Sequence, residues 1–150
     1  MGRSILSVKE IVKQAHELGY KQVAMLDDAS ISGMTTLFEK VRELEEPIKA
    51  VMGVNILVCD DPLYRPPSKK SGEKVKKNES WEAKLYVKNE AGLKALFRLL
   101  TIANSEEYFY YVPRIGIKEL VVALKSDGLI LSTGDFFPLF QHSNYEKIHA

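Results

Sequence analysis

Gln22-Val-Ala-Met-Leu-Asp-Asp-Ala-Ser-Ile-Ser-Gly33 carries the clearest signal of fold class in the chain. An apolar run, Val23 to Leu26, stops at two adjacent carboxylates, Asp27 and Asp28. A loop of small residues follows, and Gly33 opens an amphipathic segment. This is how an α/β protein ends a buried strand and begins the next helix, and such sheets keep their sites at the carboxyl ends of strands. Position therefore makes Asp27 and Asp28 functional candidates. The same residues also suit a plainer role, in which either aspartate ends the strand and Ser30 or Ser32 caps the helix.

Working outward, the upstream segment opens on Ser7-Val-Lys-Glu10, a capping-box pattern. Val8, Ile11, Val12, Ala15 and Leu18 then fall on one helical face, and Gly19 stops the helix. His16 lies at the edge of that stripe, as a boundary residue. Downstream, Gly33 to Leu44 predicts a second helix with Met34, Leu37, Phe38 and Val41 inward. Ile48 to Val58 predicts a second strand. Gly53 in its middle implies a bulge or a close backbone approach, and Asn55 is a polar residue that needs either a partner or solvent.

Residues 59 to 80 change character. Pro62, Pro66, Pro67 and Gly72 break regularity, and Lys69, Lys70, Lys74, Lys76 and Lys77 cluster there without an opposing run. The expectation is a mobile, Lys-rich loop between two strands. It reads either as a phosphate-backbone contact or as a solvated hairpin tip; the loop has no interleaved aromatics to stack on bases. Trp81 to Lys88 predicts a third strand. Asn89 caps a helix running through Asn104, with Leu93, Leu96, Phe97, Leu100 and Ala103 inward. The aromatic run from Tyr108 to Arg114 serves either as a stacking platform or to pack a loop onto the core. Ile117 to Leu124 predicts a short helix with Ile117, Leu120, Val121 and Leu124 inward. Gly128 to Leu131 predicts a buried strand ending at Ser132-Thr-Gly-Asp135, a second strand-end carboxylate. Residues 141–150 form a polar tail.

The totals bound the function. A chain of 150 residues with 45% hydrophobic content suits one domain with a real core. With 21 basic and 20 acidic residues, net charge supplies no global attraction to nucleic acid or an anionic membrane. The single Cys59 excludes an internal disulfide framework and fits a reducing compartment. No apolar run reaches the length of a membrane span, and the N-terminus lacks a signal-peptide layout. These features lead us to expect a cytoplasmic protein. Helices and strands alternate, with crossovers long enough for parallel pairing.

Five segments in this order resemble the PHP (polymerase and histidinol phosphatase) domain of the bacterial DNA polymerase III alpha subunit. They are Ile11 to Tyr20 followed by Ala24-Met-Leu-Asp27 and Gly33; Val51-Met-Gly-Val-Asn-Ile-Leu-Val58; Leu85 to Gly92 with Leu96 to Leu100; Tyr111-Val-Pro-Arg-Ile115; and Gly128 to Gly134. The resemblance implies a distorted (β/α)7 barrel, here incomplete and with mostly parallel strands. It also implies a site at the carboxyl ends of the strands, where His, Asp, Glu and Cys ligands hold up to three divalent metals for phosphoester hydrolysis, including proofreading.

Against that pattern the chain departs at most ligand positions. It begins after the family's His-x-His strand and ends before its last Asp-x-His. Asp27 keeps the Asp of the TDH motif, but Asp28 stands where the His belongs. Asn55 replaces a Glu, Glu82 falls near an expected His, and Asp135 replaces a Cys. None of His16, His142 and His149 falls on a ligand position. The imidazole and thiolate donors that hold zinc are thereby lost. The expected function is a catalytically inactive PHP-like domain with a structural or protein-interaction role in DNA replication, either as a fragment or as a stand-alone, for instance phage, protein. Its partners would be parts of a replicative polymerase or a second copy, with no membrane partner and no cofactor. Two alternatives stay open. One is a metal-dependent phosphoesterase or 3′-5′ exonuclease, with Asp27, Asp28, Asn55, Glu82 and Asp135 as an oxygen-only site for Mn or Mg. The other is a small DNA-binding module using the lysine cluster and Arg114.

Overall fold

A computed structural model describes residues 6–67 and 78–133. The elements run α1 (Val8–Glu17), β1 (Gln22–Asp28), α2 (Met34–Arg42), β2 (Lys49–Cys59), β3 (Ser80–Val87), α3 (Glu90–Ala103), β4 (Arg114–Gly116), α4 (Ile117–Leu124) and β5 (Leu129–Thr133). The lysine cluster, Asp135 and the polar tail lie outside the described residues.

Local signals placed the helices well. The α1 capping box forms, with the Ser7 amide donating to Glu10 Oε2 at 2.8 Å and the Glu10 amide donating to Ser7 Oγ at 3.3 Å. Gly19 adopts φ +74°, the left-handed conformation that ends the helix. The Asn89 side chain accepts from the Gly92 amide at 3.0 Å and starts α3. Two inward assignments and one cap are corrected. Leu18 is 72% exposed, because it is the C-cap of α1 and already turns off the buried stripe. Phe97 is 41% exposed, and Leu99 is buried in its place on α3. Neither serine caps α2: the Ser30 hydroxyl accepts from the Ser32 amide, and the N-cap is Gly33.

β2 organises the sheet. β1 pairs parallel with β2 along residues 49–55, and β4 pairs parallel with it along residues 57–59. β3 pairs antiparallel along residues 53–59, and β5 pairs antiparallel with β3. Because β3 overlaps both, β1 and β4 must share the other edge of β2, end to end. The pairings are thus mixed rather than mostly parallel, although β1, β2, β4 and β5 all point one way and β3 alone opposes them. The reason is the connection. A parallel neighbour needs a crossover, normally a helix, and the sequence between β2 and β3 carries prolines and lysines but no helical apolar period. Among the described residues no pairing joins β1 to β5, so the sheet is open there.

Strand alternation then sorts the side chains. Val54, Ile56 and Val58 of β2 join Trp81, Ala83 and Leu85 of β3 in one core with Leu96, Leu99 and Leu100 of α3 and Leu120 of α4. Val23 of β1 packs with Val12, Leu37 and Val41 beneath α1 and α2, next to Ala50. Ala50, Val54, Ile56 and Val58 have the same parity, so all four helices lie on one face of the sheet. The opposite face carries Leu26, Asp28, Gly53, Asn55, Leu57, Glu82, Lys84 and Tyr86. β5 also alternates, with Leu129 buried and Ile130 54% exposed, which corrects the expectation of a strand buried on both sides.

Gly53 resolves as a close approach and not a bulge. The register runs through it unbroken, and a Cβ there would lie 2.6 Å from the Leu85 carbonyl oxygen. Gly92, in the first turn of α3, meets Gly128 backbone to backbone, and a Cβ on Gly92 would lie 1.8 Å from the Gly128 oxygen. No side chain can give way, so Gly92→Ala is expected to lower unfolding stability by roughly 2 kcal/mol or more. Chemical denaturation checks this, and a loss within the ~0.5 kcal/mol of an ordinary surface change would contradict the contact.

Candidate functional site

The two strand-end aspartates part company. Adjacent strand residues face opposite sides of a sheet, so Asp27 and Asp28 cannot both serve one cluster. Asp27 turns to the helix face, where Oδ2 accepts from the Gly33 amide at 2.8 Å. A carboxylate there satisfies a free amide at the start of α2 and meets the positive end of its dipole. Asp28 turns to the helix-free face. There the Asn55 side-chain amide donates to its Oδ1 at 3.1 Å. The carboxylate fixes the orientation of that amide, because the reverse would set an oxygen against an anion.

Asn55 is 8% exposed, and its Oδ1 has no hydrogen-bond partner. The register sets Asp28, Asn55, Lys84 and Ser132 in one row across the sheet, with Glu82 two residues along β3, opposite Leu57. Asp28, Asn55 and Glu82 line a cavity of about 340 Å³ with Leu57, Val112 and Pro113. The cavity sits where β1 has ended and β4 has not yet begun, at the gap the sheet order leaves on the edge of β2.

Further along β2 a loop roof covers a separate pocket lined by Leu57, Cys59, Tyr64, Tyr110 and Arg114. Arg114 is 6% exposed; its Nη2 donates to the Tyr64 oxygen at 2.6 Å and its Nε to the Tyr108 oxygen at 3.2 Å. Its guanidinium stacks 4.9 Å from the Tyr110 ring centre, with Arg65 at 5.0 Å. Burial lowers the Arg114 pKa, with nearby Arg65 adding to the effect. In this setting Arg114 staples the loop to β2 and is not presented to a phosphate. The aromatic run splits accordingly. Tyr108 donates its hydroxyl to Glu119 at 3.1 Å, Tyr110 receives the cations, and Tyr111 stays 83% exposed. Cys59 lies beneath the same roof, where burial pushes its thiol pKa up.

Three comparisons bear on this chain. A family model described as the PHP domain matches residues 1–146. The chain belongs to the PHP domain family. Among curated relatives, the DNA polymerase III subunit alpha of Yersinia pestis is 30% identical over 154 aligned residues, covering 99% of this chain and 13% of that protein. Its counterpart in Aquifex aeolicus (strain VF5) is 30% identical over 128 residues, covering 85% of this chain and 11% of that protein. This PHP domain therefore spans only a small part of the length of the relatives it matches. A solved structure described as a metal-dependent phosphoesterase from Bifidobacterium adolescentis is similar at 14% identity and a TM-score of 0.45, over 83% of this chain and 60% of that one.

The metal centre that the PHP resemblance implies does not fit the residues described here. Among them no group of three His, Cys, Asp or Glu side chains stands close enough to hold an ion. Of the expected set, Asp28, Asn55 and Glu82 are brought to one cavity, Asp27 is turned away, and Asp135 lies outside the described residues. The ammonium-bearing Lys84 occupies the same row, which adds repulsion toward a divalent cation.

Asp27→Ala should cost about 1 kcal/mol through the lost helix-start bond, while Asp27→Asn, which keeps an acceptor oxygen, should stay closer to wild type. Thermal or urea unfolding of the two variants checks this. Equal losses would mean that charge, and not the bond to Gly33, is what Asp27 supplies.

Proposed function

We propose that this PHP domain is catalytically inactive and has a structural or protein-interaction role in DNA replication, next to or within a polymerase related to the DNA polymerase III alpha subunit. The observation that carries the reading is the Asn55 to Asp28 hydrogen bond. At the strand position where the family resemblance calls for a ligand, a neutral amide faces the carboxylate with its donor side. An N–H donor cannot ligate a cation, and it satisfies the anion without one. The turning away of Asp27 and the presence of Lys84 in the row support the same reading. So does similarity to polymerase alpha subunits along nearly the whole chain. The open, mixed sheet is in this view one wall of an incomplete barrel, and its edges, unpaired among the described residues, call for a partner or a second copy. No helix among the described residues is long and apolar enough to cross a membrane, which suits a cytoplasmic protein.

One observation favours the phosphoesterase alternative: the buried Asn55 Oδ1 has no partner and borders the same cavity as Asp28 and Glu82. Those three oxygen-bearing groups would suit Mn or Mg and not zinc.

Calorimetric titration with manganese separates the two. The inactive reading predicts no saturable heat at millimolar metal in wild type. Near-stoichiometric binding that disappears in Asp28→Ala would overturn it and direct attention to nucleotide and DNA 3′ ends. Asp28→Ala should itself cost about 1–3 kcal/mol of stability, since it strands the buried Asn55 amide.

A further inference from the structure

The groove between α3 and α4 lies outside the cavity of Asp28 and Asn55 and shares no lining residue with it. It encloses about 650 Å³ on the helix-bearing face. Its floor is low and apolar, made by Ala91, Ala95, Leu99 and Ala123, with Ile102 and Val122 standing along it. Val122 is 68% exposed and Ile102 is 37% exposed. Ala91, Ala95, Arg98 and Ile102 recur at the 4-3-4 spacing of a second stripe on α3, distinct from its core stripe of Leu96, Leu99, Leu100 and Ala103.

The rims are cationic on both sides. α3 contributes Lys94 and Arg98, and Lys118 and Lys125 stand on the α4 side. Lys94 pairs with Glu90 at 2.6 Å, an exposed i,i+4 pair of small energetic weight. Arg98, Lys118 and Lys125 have no ion pair among the described residues. The one acid in the lining, Glu119, is already committed: its carboxylate accepts from the Gly116 amide at 3.0 Å and from the Tyr108 hydroxyl at 3.1 Å. Among the described residues, an apolar trough flanked by three cations without an ion pair is thus left open.

We propose that this groove docks an amphipathic helix of a partner protein, one whose apolar stripe is flanked by Asp and Glu. The alanine floor allows a helix to sit deep, Val122 and Ile102 meet its i, i+3, i+4 and i+7 anchors, and the rims meet its acids. A second copy of this chain fits poorly, since two such grooves face to face would oppose cation to cation. Nucleic acid fits poorly as well, since phosphates would lie against alanine and valine with no ring in the lining to stack a base. The chain's own tail supplies only Asp135 and Glu146 as acids. The inference rests on the interaction role proposed above and fails separately from it. Manganese binding at Asp28 would overturn that role, whereas a silent groove would overturn only this assignment.

The test uses the full chain, labelled with ¹⁵N, and a designed peptide of about four helical turns, roughly 15 residues, with Leu at i, i+4 and i+7 and Glu beside each. Controls are a peptide of the same composition with the Leu spacing scrambled, and a single-stranded oligonucleotide. We expect saturable binding with amide shifts confined to α3 and α4. The affinity should fall about tenfold, some 1.4 kcal/mol, in Val122→Asp and again in Arg98→Glu paired with Lys118→Glu. These side chains are exposed, so circular dichroism should show wild-type folding in each variant. Equal binding of the scrambled peptide or the oligonucleotide would overturn the proposal in favour of a general anion surface. Shifts on another face, or concentration-dependent dimerisation through the groove, would also overturn it. The wild-type shift map decides the matter even where a variant loses its fold.

Discussion

Strand β2 has two edges and three partners, and the molecule follows from that mismatch. One edge is filled by β3. The other is shared end to end by β1 and β4. Eleven residues of strand are long enough to seat both, and the gap between them opens the cavity that Asn55 lines. The alternation of β2 then separates two worlds. Val54, Ile56 and Val58 go to the helices, while Asn55, Leu57 and Cys59 go to the face without helices. A one-residue slip of β2 would exchange the two sets and bury the amide in the main core. The apolar core of α3 and α4 therefore specifies where the polar site stands.

The site that results is a hydrogen-bonded pair. In a PHP-type site clustered carboxylates repel each other unless a cation sits among them. Here an amide stands against one carboxylate, a helix start takes the other, and a lysine joins the row. On the proposed reading, each of these features reduces the need for an ion. On the strand edge the Asn55 amide nitrogen meets the Asp28 carboxylate, while the Asn55 oxygen is left without a partner.

Much of this was legible in the sequence wherever the cause was local. Ser7 with Glu10, Gly19 and Asn89 act within a few residues of themselves, and the helices they bound appear where expected. Ile117 to Leu124 falls on its helix residue for residue. What was not legible depends on distant partners. β4 has three residues, too few to show alternation, and exists because β2 offers it an edge beyond β1. The antiparallel entry of β3 depends on how the chain returns from β2. The outward turn of Phe97 and inward turn of Leu99 reflect where α4 packs. The site was half legible. Position makes both Asp27 and Asp28 candidates, although a period of two along a strand already says that only one of them can face any given site. For the run ending at Arg114 the sequence leaves stacking platform and loop packing both open, because the carbonyl partners at Tyr64 and Tyr108 become visible only once two loops meet.

On the proposed reading Asp28 is satisfied by the Asn55 amide and not by a cation. Diffraction from crystals grown with manganese, recorded at the manganese absorption edge, tests it most directly. The account predicts no anomalous peak between Asp28, Asn55 and Glu82, with the Asn55 nitrogen still in contact with the carboxylate. A peak there, with the Asn55 oxygen turned toward it, would contradict the account and restore the metal-dependent reading.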